Sequence, residues 1–129
     1  MTDKEFLKKM DDLELEAGSF THEAHLRLAY IQIQRLGVVA ACERVSQQLL
    51  TFVESVGATE KFNKTLTIAS VKAVAHFMQR APQKDFQSLI QEFPRLKSDF
   101  LGLIFSHYTE ELVFSQKAKM EFCEPDLME

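Results

Sequence analysis

Most of the few glycines and prolines in this chain stand between stretches whose apolar residues recur with a helical period, and that punctuation limits the fold more than any other feature. Gly18, Gly37, Gly57, Pro82 and Pro94 mark the breaks. The β-branched runs between them are short, and no Asn-Gly or Asp-Gly pair signals a hairpin. The spacing predicts an all-α fold, a compact bundle of about five or six helices.

The first helix opens on Thr2-x-x-Glu5, a capping-box pattern, and puts Phe6, Met10 and Leu13 on one face. Residues 14–20 lose the period and form a connection. Thr21 is the expected N-cap of a second helix, with Glu23 in its first turn, and Gly37 closes it. A third helix is expected over about 38–56. Ala41, Val45, Leu49, Phe52, Val53 and Val56 point inward, and Gly57 lies just past its end. From about 60 to 80 apolar residues go most of the way round the helix, which predicts a mostly buried central element. Beyond Pro82 the pattern gives a short helix through Phe86, Leu89, Ile90 and Phe93, a break at Pro94, and another through Phe100, Leu103 and Ile104. From Thr109 short turns lead to an extended end at Glu124-Pro125-Asp126.

A chain of 129 residues matches one domain, read as 1–129. Its apolar fraction of 46% and charged fraction of 26% fit a chain that folds. The formal charge is −4 and the basic residues are scattered, so nucleic acid is not an expected partner. No apolar run approaches the roughly 20 residues of a membrane span, and the acidic start does not resemble a signal peptide, so the expected location is the cytoplasm. Cys42 and Cys123 lack metal-ribbon spacing and read as free thiols.

The polar residues that bear on function are the histidines. With about 100° of rotation per residue, His22 and His25 share an arc with Leu26, Ala29, Ile33 and Leu36. His76 lies with Phe62, Leu66, Ala69 and Ala73, and His107 with Phe100, Leu103 and Ile104. All four are therefore expected to face the interior. Imidazoles at i and i+3 stand roughly 5–6 Å apart, close enough to share a divalent transition metal. His76 from a facing helix would complete a three-ligand site, with His107 as the alternative. The structural alternative is that each histidine is a core hydrogen-bonder. His22-Glu23-Ala24-His25 is not the H-E-x-x-H motif, and no Glu-x-x-His pair of a di-iron bundle occurs. Along the central helix Asn63, Thr67 and Ser70 are stacked, with Thr65 beside them. They are candidates for a polar ligand site or for supporting the histidines, against the common reading that such hydroxyls bond back to the preceding turn.

Four stretches carry a resemblance: Phe20-Thr21-His22-Glu23-Ala24-His25-Leu26-Arg27-Leu28-Ala29, Lys61-Phe62-Asn63-Lys64-Thr65-Leu66-Thr67, Ser115-x-x-Ala118-Lys119, and Phe122-x-x-Pro125-Asp126-Leu127. Together they resemble a family of small all-helical bacterial proteins without an established activity. The resemblance implies a bacterial source and an all-helical fold, and its motifs include His22, His25, Asn63, Thr65 and Thr67. Members of that family often carry a histidine where this chain has Asn63. The neutral amide is a poorer transition-metal ligand, which favours a polar pocket over a metal centre.

Two functions follow as expectations. One is a domain that binds a divalent metal or a small polar ligand through His22 and His25. The other is a non-enzymatic interaction or assembly protein, in which 11 phenylalanines and 5 methionines supply a core plus an apolar patch for a homo-oligomer or a protein partner. No nucleophile elbow, phosphate loop or dinucleotide fingerprint points to a particular reaction.

Overall fold

Thr2 starts the first helix as the capping box requires: its Oγ1 accepts from the Glu5 amide at 3.1 Å, and Glu5 Oε1 accepts from the Thr2 amide at 3.0 Å. The computed structural model describes residues 1–16, 18, 20–80 and 82–127. Helix α1 spans Asp3–Asp11 and buries Phe6, Leu7 and Met10. It is tied to its neighbours by Arg27, which bonds Asp3 at 2.8 Å while lying 5.0 Å above the Phe6 ring, and by an Arg44–Asp11 ion pair. Of the 14–20 connection, Ala17 and Ser19 lie outside the described residues.

Three long helices form the body. Helix α2 (His22–Leu36) is capped by Thr21, whose Oγ1 accepts from the Ala24 amide at 3.2 Å. Gly37, at φ +82°, ends α2 and begins α3 (Val38–Ser55), a single-residue joint that a left-handed backbone makes possible and a side chain would strain. Helix α4 (Lys64–Arg80) follows a 3₁₀ turn at Thr59–Lys61 and packs on both α2 and α3. Leu28, Ala29, Ala41, Val45, Val71 and Val74 are fully excluded from solvent where the three meet. Each such leucine or valine contributes roughly 1.5–3 kcal/mol by burial.

The remaining helices are short: α5 (Phe86–Glu92), α6 (Arg95–Ser98), α7 (Phe100–Phe105), α8 (Glu110–Val113) and α9 (Gln116–Met120). Helix α6 packs against α2, α5 and α7, while α9 packs on α4. Leu89, Leu96, Val113 and Ala118 each plug the core from these segments. The described residues contain no strand, and none of their helices is long and apolar enough to cross a membrane.

The all-α bundle with a central helix is therefore the observed fold, with three differences from expectation. Nine helices appear among the described residues because the stretch after Pro82 breaks into pieces of 4 to 7 residues; α6 in particular has no sequence signature. Helix α4 begins at Lys64 rather than near 60, because Asn63 caps it: Asn63 Oδ1 accepts from the Leu66 amide at 2.9 Å. Burial is also shared differently. Leu26, Leu28, Ala29, Tyr30, Ile31 and Gln32 are all buried in α2, whereas Leu66, Ala69, Ala73 and Phe77 of α4 are only half-buried. That side of α4 looks onto two clefts.

Candidate functional site

The first cleft lies where the start of α2, the N-terminal half of α4 and the α6–α7 junction meet. It measures about 420 Å³ and is lined by His22, His25, Leu66, Ser70, Asp99 and Phe100, with Lys97, Ser98 and Leu101 at its edge. The Thr21 cap places His22 at the first helical position and His25 one turn later on the same face. His22 Nε2 donates to the Leu96 carbonyl at 3.0 Å, and its ring lies 4.9 Å from Phe100. A carbonyl only accepts, so Nε2 carries a proton and Nδ1 is the nitrogen left for another partner.

His25 is the chemically distinctive residue of the cleft. Its side chain is half-buried, yet Nε2 is closed off from solvent and has no hydrogen-bond partner among the described residues. The Phe20 ring lies 6.0 Å from the imidazole at a tilt, and Phe52 packs on Phe20. Burial, and then the nearby His22, push the imidazole down to about 4, so the ring is neutral at pH 7. A neutral imidazole presents Nε2 as donor or acceptor according to its tautomer. An orphaned polar atom of this kind costs about 1–3 kcal/mol.

The charges at the rim are matched within the chain. Lys97 Nζ pairs with Glu23 at 2.7 Å, and Arg95 with Asp99 at 2.9 Å. The Asp99 carboxylate folds over Gly102, where a Cβ would stand 2.5 Å from it, so glycine at that position lets Asp99 lie along α7. Ser70 Oγ donates to the Leu66 carbonyl at 2.7 Å and keeps acceptor capacity.

A second cleft, also about 420 Å³, opens further along α4. Its walls are Ala69, Ala73 and Phe77 of α4, Leu103 and Ile104 of α7, and the C-terminal stretch through Phe122 and Pro125, with Lys72, His76, His107 and Glu124 also bordering it. The C-terminal stretch is held in place by polar bonds. Tyr108 Oη donates to the Cys123 carbonyl at 2.6 Å, the Leu127 amide to the His107 carbonyl at 3.0 Å, and the Thr109 amide and hydroxyl to Asp126 at 2.9 and 2.7 Å. Burial pushes the Tyr108 phenol up to about 12, which keeps it a donor.

The four histidines thus divide into two pairs. His22 and His25 share the first cleft, and His76 and His107 border the second. His76 does not join His22 and His25, and among the described residues no three His, Cys, Asp or Glu side chains gather into a set that could hold a metal ion. Angle was read from the sequence but height was not. Leu66, which reaches the His25 cleft, and His76 are ten residues apart, roughly 15 Å along the helix axis. Nor do all four face inward: His22, His76 and His107 are exposed, His22 at the first position of α2, His107 just past the end of α7, and His76 within α4 at the open edge of the second cleft.

Asn63, Thr65 and Thr67 line neither cleft. Asn63 Nδ2 donates to the Val113 carbonyl at 2.7 Å. Thr65, fully buried, donates to the Glu121 carbonyl at 2.9 Å and accepts from the Cys123 amide at 3.0 Å. Thr67 bonds back to the Asn63 carbonyl at 2.8 Å. The first two bind the C-terminal segments to α4, and Thr67 reinforces the helix start. Sequence reasoning also missed a buried polar relay in which Gln32 donates to Gln48 at 3.0 Å and Gln48 to Asp11 at 3.0 Å. Cys42 and Cys123 are free, and burial raises the Cys42 thiol.

Comparison with protein-family models, with curated proteins and with solved structures returns no match.

Proposed function

We propose that this chain is a small-ligand-binding helical domain of the cytoplasm, whose site is the cleft of His22 and His25. One observation carries the reading: His25, whose ring is neutral and whose buried Nε2 has no partner among the described residues, lines a cleft large enough for a small organic molecule. The rim ions are already paired, and Leu66 and Phe100 supply apolar walls. A neutral ligand that offers one hydrogen-bonding group to His25 and a compact apolar body therefore suits the cleft best. His22, fixed by the Leu96 carbonyl, presents Nδ1 as a second contact. A divalent transition metal held by these two imidazoles, with further ligands from outside the chain, is the second reading, favoured by their shared cleft.

The test is a screen of small neutral amides and alcohols by long-range proton–nitrogen NMR of the imidazoles, run beside thermal melts with zinc, nickel and iron. A fragment that shifts the His25 nitrogens and loses its effect in His25→Ala supports the ligand reading. Stabilisation by a metal that both His22→Ala and His25→Ala abolish supports the metal reading. Silence in both arms sinks the site and leaves the interaction or assembly protein, for which sedimentation would show a defined homo-oligomer.

A further inference from the structure

We infer that the second cleft is a separate binding site, for a small molecule with an apolar body and a carboxylate head, and that Lys72 and His76 hold the head. The two residues stand at i and i+4 on α4, so their side chains rise next to each other at the cleft. Both are exposed, and both offer N–H donors toward the same opening. The Lys72 ammonium lies 4.6 Å above the Phe122 ring, and among the described residues no carboxylate forms an ion pair with it. An ammonium lodged on an aromatic face keeps N–H groups for a charged acceptor. The hydroxyl protons nearby are committed, since Ser106 donates to the Leu103 carbonyl and Tyr108 to that of Cys123. Lys72 is therefore the charged donor at the mouth, and among the described residues Glu124 is the acid bordering it. Behind the mouth, Ala69, Ala73, Phe77, Leu103 and Ile104 make a wall suited to a short alkyl chain or a ring. The volume falls within the roughly 300–1,000 Å³ of ordinary small-molecule pockets.

The experiment titrates the full chain with hexanoate, hexanol and hexylamine, reading affinity by calorimetry and location by amide shifts. The expected result is hexanoate binding about tenfold more tightly than hexanol, as one charge-assisted contact gives. The shifts should centre on Ala69, Ala73 and Phe122. Lys72→Met, a change at an exposed position, should erase the preference while hexanol affinity holds. Ala73→Phe, with an unchanged circular dichroism spectrum, should block both ligands; if that variant fails to fold, Lys72→Met alone decides. Equal affinity for acid and alcohol, tighter binding of the amine, shifts confined to Ser70 and Phe100, or no binding at millimolar ligand would each overturn the inference. Because the two clefts share no lining residue, failure here leaves the His25 reading untouched, and the reverse.

Discussion

Helices α2, α3 and α4, of 15 to 18 residues, and helices α5 to α9, of 4 to 7, keep their shape by different means. The long three are joined mainly through buried apolar side chains. The short ones are below the roughly 12–15 residues at which a helix is even marginal alone, so they exist by attachment. Several of their attachments are hydrogen bonds that cross from side chain to backbone: Asn63 to Val113, Thr65 to Glu121 and Cys123, Lys119 Nζ to the Glu60 carbonyl, Tyr108 to Cys123. Apolar burial is divided among many contacts and is lost all at once, whereas a polar anchor fails by itself. The long part should unfold as a unit, and the C-terminal part should come away piece by piece.

The strongest way to break this contrast is Leu28→Ala, at a fully buried position of α2. It should cost about 2–5 kcal/mol in denaturant unfolding and raise amide exchange throughout α2, α3 and α4. A purely local effect would mean that the long helices are not one cooperative unit. The next effect is on pH dependence. His25 is held near 4 when folded, against an ordinary value of about 6.5, so the unfolded chain binds more protons between those values. Its contribution to stability is complete above about pH 6.5 and is lost as pH falls towards 4, on the order of 2–3 kcal/mol. Melts of His25→Phe between pH 7 and pH 4 should show a flatter slope than the natural chain; an equal slope would place the acid sensitivity elsewhere.

Thr65→Val should strand the Glu121 carbonyl and the Cys123 amide, at about 1–3 kcal/mol. Exchange should rise over residues 118–127 and stay unchanged in α3. Protection lost equally in both regions would erase the distinction between them. Tyr108→Phe, which removes one 2.6 Å bond to the Cys123 carbonyl, should produce the smallest change, about 1 kcal/mol, visible chiefly in the same terminal amides.

The same division decides what could be read from the sequence. Capping and periodicity are local, and they placed Thr2, Thr21, Gly37 and Gly57 at the helix ends where they are found. The apolar arc of α3 through Ala41, Val45, Leu49 and Phe52 is likewise the buried one. The pieces after Pro94 depend on contacts far along the chain, and α6 has too few turns to show a period. The site was half legible. Spacing puts His22 and His25 on one face, but it does not distinguish Asn63 as a cap from a member of a polar stripe, and it gives the side of α4 on which His76 stands without its height. Nothing local marks Thr65 as an anchor for the C-terminal segment, because its partners are 56 and 58 residues away.

That separation matters to a chain made from its N-terminus. When α2, α3 and α4 have been synthesised and can close on one another, the segment that will cover Thr65 does not yet exist. The nascent bundle turns this face to water until Glu121 and Cys123 emerge. A hydroxyl bears that wait hydrated, where a valine of the same shape would offer a greasy spot to any passing chain. The threonine thus serves the half-made protein as well as the finished one, and the same later-made stretch, through Phe122 and Pro125, completes the second cleft.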